Sequence, residues 1–178
     1  MSWLGRIWNN SAYRFVIVFA LLLGAEVLLY PMITKRWFFL VEGATRATAW
    51  LEWAALSLFS DKATLDGNLV HFGHFAVRII EECTGIFEVI IFVAAVLAFP
   101  TTWQKRAIGL GMGIPLLYLF NVVRILVLIL VGRYQPQFFE FMHIYFWQAT
   151  LILMITSVWL LWIFKVVRDD EEGLAPQS

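Results

Sequence analysis

The chain of 178 residues holds one cysteine, three histidines and only 15% charged residues. Each shortage excludes a kind of chemistry. The lone Cys83 has no partner for an internal disulfide, so it is either a small apolar packing residue or a reactive thiol. Zinc normally takes three or four protein ligands. His71 and His74 stand three apart with no further Cys or His ligand nearby, so neither a metal nor a cofactor is expected. There is no His-Glu-x-x-His step for a metalloprotease and no Gly-x-Ser-x-Gly step for a serine hydrolase. Thirteen basic residues balance thirteen acidic ones, so no overall charge bias points to nucleic acid or to an acidic partner.

Apolar residues are what the chain has in excess. They make up 61% of it, with a mean hydropathy of +0.78, against roughly 45–50% in soluble domains. The chain is therefore expected to live in the lipid bilayer, as a single integral membrane domain over 1–178. No internal repeat is visible, and 168–178, "RDDEEGLAPQS", reads as a polar tail. The first apolar run is too long for a removable leader and lacks its small-residue cleavage site, so it is expected to stay as an anchor.

Four runs reach or approach the roughly 20 apolar residues that cross the hydrocarbon. They are Tyr13 to Ile33, Thr84 to Phe99, Ala107 to Val131 and His143 to Val167. Between the first two, Trp37 to Phe59 is apolar but carries Glu42, Arg46 and Glu52 at near-helical spacing on one stripe. It reads as an amphipathic helix in the interface, with a tilted fifth span as the alternative. The fold class expected is all-α polytopic, with a small exterior β-hairpin where Gly67 and Gly73 punctuate "LDGNLVHFGHFAVRII".

Lys105 and Arg106 lie between the second and third runs, and Lys165 and Arg168 follow the fourth. The positive-inside rule places both on the cytoplasmic side, which puts Asp61 to Cys83 and Gly132 to Met142 outside. Arg6 and Arg14 agree with a cytoplasmic N-terminus, whereas Lys35 and Arg36 do not. If Trp37 to Phe59 spans, the N-terminus moves outside.

This topology brings three chemically distinct residues to similar depth. Cys83 opens the second span, and Arg124 lies about seven residues, or roughly 10 Å, below the outer end of the third. His143 opens the fourth span, after the loop "GRYQPQFFEFM". An intramembrane arginine usually faces the bundle interior with a partner. Asn121, one turn earlier, is placed to orient it, and Glu88 or Glu26 to pair with it. A thiol, an imidazole and a guanidinium suit attack on an acyl group, in which the thiolate adds to a carbonyl, the imidazole moves the proton and the cation holds the oxyanion. The helix start, Arg124 and His143 would lower the thiol pKa, and Glu81 and Glu82 would oppose that. Gly85 leaves room for a substrate backbone beside the free N–H groups of the helix start.

At "CTG" (Cys83, Thr84, Gly85), "NVVR" (Asn121 to Arg124) and His143 of "FMHIYFWQ", the chain resembles the exosortase/archaeosortase family of membrane-embedded cysteine proteases or transpeptidases. The resemblance covers about 67–167. It implies Cys83 as nucleophile, Arg124 as oxyanion stabiliser and His143 as acid/base, with Thr84, Gly85 and Asn121 in the same motifs; Glu82 and Glu88 join the supporting, substrate-binding set by position alone. Glu82 and Glu88 match no family motif. The resemblance also implies a partner class, exported proteins ending in a recognition motif, a transmembrane helix and a basic cluster, cut at the outer face of the cytoplasmic (inner) membrane. The competing expectation is a non-catalytic transport or assembly subunit with Arg124 in a structural ion pair.

Overall fold

A computed structural model describes residues 10–168. Arg6 and the polar tail beyond Arg168 lie outside the described residues. Two helices open the fold, α1 (Ser11–Arg36) and α2 (Phe38–Ser57), separated only by Trp37, whose backbone leaves the helical region. Three short strands follow, β1 (Ala63–Asp66), β2 (Leu69–Phe72) and β3 (Phe75–Arg78). The chain then turns through Glu81–Cys83 into α3 (Ile86–Ala98), α4 (Trp103–Tyr134) and the helical run α5 (Pro136–Arg168). Among the described residues, α1, α4 and α5 are long and apolar enough to cross a membrane, and α3 is a shorter apolar helix. The molecule is a multi-pass membrane protein, mostly helical as its composition requires.

The strands form one antiparallel sheet in the order β1-β2-β3. The expected hairpin is therefore a three-stranded meander. Its extra strand, β1, pairs Ala63 with Phe72 and Asp66 with Leu69. Two-residue turns at Gly67–Asn68 and Gly73–His74 each place a positive-φ glycine first, the pattern of a type II′ turn. A meander this small is marginal alone. It packs on α2 and α4 through a core of Ala49, Leu56, Val70, Phe72, Ile79, Ile125 and Ile129, against which Cys83 also rests. A clamp reinforces the second turn: Arg133 at the end of α4 hydrogen-bonds His74 Nδ1 at 2.7 Å and covers the Phe72 ring. His71 sits elsewhere, on β2 opposite Thr64.

A second core joins α3, α4 and α5 through Phe92, Val96, Leu117, Met154, Val158 and Trp162. Apolar side chains gain little from leaving lipid, so close packing must hold these helices together. The small residues of α4 serve that contact, since a Cβ at Gly113 would overlap the Phe92 ring and one at Gly109 would lie 2.5 Å from Trp162. Trp162 Nε1 donates to Lys105 O, and Arg106 donates to Phe99 O, both at 2.9 Å, closing that end of the bundle.

Several boundaries differ from the sequence reading. Helix α3 has 13 residues, about 20 Å against roughly 30 Å of hydrocarbon. Its limits are set by Gly85, in the left-handed region, and by the extended Phe99 before Pro100. The segment Gly132 to Met142, expected as a loop, is almost wholly helical. Helix α4 runs on to Tyr134, Gln135 breaks it, and Pro136 opens α5, because proline fits a first helical turn but not the interior. His143 thus lies inside a helical run rather than at its start. Glu52 also leaves the expected polar stripe and is fully buried.

Candidate active site

The Cys83 region is a short polar connection made rigid by its own backbone. Cys83 N donates to Ile80 O at 3.0 Å, and Thr84 N donates to Glu81 O at 3.1 Å. The Thr84 hydroxyl donates to the same Glu81 oxygen at 2.6 Å. Buried Thr84 therefore locks the turn from within. Gly85 follows at φ +77°, where an L side chain is strained, and a Cβ there would meet the Asn121 side chain at 3.2 Å. That close approach lets α4 reach the turn.

Asn121 makes the connection. Its amide donates to the Cys83 carbonyl oxygen at 2.8 Å, and its own oxygen accepts from Arg124 Nη1 at 3.4 Å. Arg124 Nη1 also lies 3.4 Å from Glu88 Oε1. Both charged side chains are largely out of solvent, 8% and 13% exposed, so each needs the other's charge. Of the two carboxylates considered for Arg124, Glu88 is the one paired. Cys83, Asn121, Arg124 and Glu88 form one polar chain across three consecutive elements. Arg124 Nε and Glu88 Oε2 are buried and make no hydrogen bond among the described residues.

The thiol is half-buried, and burial raises its pKa above the ordinary value. A hydrogen bond with the Ile80 backbone and the positive charge of Arg124 work the other way, while Glu82 and Glu88 add to the rise. The expectation of a lowered thiol pKa is thus corrected: desolvation outweighs the cation. Glu82 is exposed and acts on the thiol only through its charge.

His143 lies apart from this chain of contacts. It is exposed, in a π-helical stretch from Met142 to Phe146, with its ring stacked on Phe139 at 5.7 Å. Phe139 in turn meets Phe75 of β3 edge-on at 5.5 Å, tying this part of α5 to the sheet. Among the described residues no hydrogen bond links His143 to Cys83. A π-helical stretch inside an α-helix is often found at functional sites.

Sequence reasoning gave no separate role to two buried polar residues of α2, Thr48 and Glu52. Thr48 and Tyr118 share a hydrogen bond of 3.1 Å between α2 and α4. One turn beyond Thr48, the Glu52 carboxyl is completely buried, with neither oxygen hydrogen-bonded among the described residues, and burial pushes its pKa up to about 8. No residue pattern marks either.

The family model described as transmembrane exosortase matches residues 4–163. Comparison with curated proteins and with solved structures finds no match.

Proposed function

The chain belongs to the transmembrane exosortase family, and on that premise we propose that it is a membrane-embedded cysteine endopeptidase or transpeptidase. Its substrates are exported proteins with a C-terminal sorting signal, made of a short motif, a transmembrane helix and a basic cluster. It acts at the outer face of the cytoplasmic membrane. The observation that carries the reading is the 2.8 Å bond from Asn121 to the Cys83 carbonyl, because it ties the backbone of the lone cysteine to the buried Arg124–Glu88 pair.

In this reaction Cys83 attacks the scissile carbonyl. The oxyanion forms beside Arg124, whose guanidinium donates hydrogen bonds to the new charge. Ile86 N, the first of α3, donates to Thr84 Oγ1 at 3.4 Å, and the N–H groups that follow it in the first turn add to that stabilisation. Because the resting thiol is neutral, a base must take its proton as attack proceeds, and His143 supplies that base. The same imidazole returns the proton to the leaving amine. A thioester on Cys83 remains, and water or an amine of an acceptor then releases the acyl group.

One observation favours a different reading, a non-catalytic subunit: Arg124 has a counterion in Glu88, as structural glue would. The two readings part at Cys83→Ala, tested by co-expression with a tagged protein from the same genome bearing motif, helix and basic tail. Tail removal by the wild type alone, with both proteins folded and equally abundant, supports the peptidase. Equal processing by both overturns it.

A further inference from the structure

On the sheet side of the fold lies a groove of about 340 Å³ between α2, the first hairpin turn and the segment leading to Cys83. Its walls include Phe38, Glu42 and Arg46 from α2, Asn68 from the turn, and Ile80 and Glu81. We propose that this groove holds the part of the substrate polypeptide next to the scissile bond in extended form, with Glu42, Arg46 and Glu81 selecting its side chains. The inference rests on the peptidase reading above and adds to it the place where the substrate is read.

Three features of the groove support a peptide. The first is continuity with the nucleophile: Ile80 and Glu81, which line the groove, are the residues whose carbonyls bind Cys83 N and Thr84 N. Cys83 follows Glu81 by two residues, so an extended chain in the groove, advancing about 3.3 Å per residue, can run on along this segment toward the thiol. The second is a fixed far wall. Asn68 Nδ2 donates to Ile79 O at 2.9 Å, Ile79 N donates to Asn68 O at 2.8 Å, and Arg78 donates to Asn68 Oδ1 at 3.3 Å.

The third is chemistry. Phe38 and Ile80 offer exposed apolar contact, and the Glu42–Arg46 pair is open to solvent, with side chains 42% and 65% exposed. An exposed pair can exchange partners with a charged or amide side chain at little cost. Two carboxylates against one guanidinium disfavour an anionic lipid headgroup. The larger cavity, about 560 Å³ between α4 and α5, is lined by Gly109, Met112 and Trp162 at the other end of the bundle. It is apolar and lies on residues remote in α4 from Asn121, which suits lipid rather than a polar motif.

The test uses the full chain in detergent micelles with the same tagged substrate, and a panel of it in which each residue of the polar motif is replaced by Asp or by Lys. Glu42→Arg, Arg46→Glu and the double reversal are compared with wild type for kcat, KM and the rate at which iodoacetamide alkylates Cys83. The expected result is a KM raised by about 10-fold in each single variant, with kcat and alkylation little changed. In the double reversal the preference between Asp and Lys panel members should change at one motif position. An unchanged KM and panel order in folded variants overturns the groove while leaving the peptidase intact. Loss of the wild type's response to added anionic lipid in Arg46→Glu, with KM unchanged, also overturns it, by assigning the groove to a headgroup. Processing by Cys83→Ala equal to wild type defeats the peptidase reading itself.

Discussion

The side-chain amide of Asn121 donates to the Cys83 carbonyl oxygen at 2.8 Å while its oxygen accepts from Arg124 at 3.4 Å. One buried residue therefore sets the separation between the Cys83 backbone and the cation. Asn121→Leu removes both bonds and leaves two buried polar groups short of a partner, at about 1–3 kcal/mol each. Single-turnover cleavage is expected to fall by roughly 10- to 100-fold. Asn121→Asp keeps the acceptor for Arg124 but turns a carboxylate toward the Cys83 carbonyl. It should preserve more thermal stability than Asn121→Leu and recover little activity. Equal activity in both variants and wild type would show that the bond to Cys83 has no part in the reaction.

The Arg124–Glu88 pair separates a catalytic role from a structural one. Glu88→Ala strands a buried guanidinium, and breaking a buried pair from one side costs about 3–5 kcal/mol. The melting temperature in detergent should fall sharply. Replacing both, as Glu88→Leu with Arg124→Leu, removes the stranded charge and is expected to restore most of that stability. Cleavage stays abolished if Arg124 holds the oxyanion. A stable, active double variant would reduce Arg124 to a structural residue.

Hydropathy made the long helices legible because lipid admits little but helices and closed barrels, so long apolar runs have few other solutions. Partner choice was harder to read. Glu26 and Glu88 were equal candidates for Arg124 in sequence, and only the packing of α3 on α4 brings Glu88 to it. The stripe through Glu42, Arg46 and Glu52 misled for a geometric reason. The first two are four apart and pair on one face, but Glu52 is ten residues from Glu42, about 2.8 turns, and so rotates off that face. It then shares the buried side of α2 with Thr48, Ala49 and Leu56. His143 was placed at a helix start because the apolar run begins there. Pro136 starts the helix instead, through aromatic residues that a hydropathy reading treats as loop.

Glu52 predicts an unusual pH dependence of stability. Its folded pKa, about 8, lies above the unfolded carboxylate value of about 4.3. As pH rises between these two values the unfolded chain gives up its proton first, so the folded state loses stability through that window and is level above it. By pH 7 the loss is on the order of 3–4 kcal/mol. Glu52→Gln removes this titration while keeping the shape. Thermal melting at pH 5 and pH 8 should show a drop for wild type and a much smaller one for Glu52→Gln. Parallel drops would place the pH dependence elsewhere.

The raised pKa of Cys83 makes thiol reactivity the most direct probe of the site. Burial holds the proton on sulfur, so the rate of alkylation by iodoacetamide is expected to climb with pH and reach its midpoint above that of an unperturbed thiol. The charges around it move that midpoint in known directions. Arg124→Gln removes a cation that lowers the pKa, and the midpoint should rise. Glu82→Gln removes an anion that raises it, and the midpoint should fall. Glu82 is exposed, so its shift should shrink as salt is added, while that of buried Arg124 persists. His143 makes no hydrogen bond to the thiol in the resting structure, so His143→Ala should leave the alkylation midpoint in place yet slow cleavage by about 100-fold or more if it acts as the base. A His143→Ala variant whose midpoint moves as far as that of Arg124→Gln would mean that the imidazole already faces the thiol before substrate arrives.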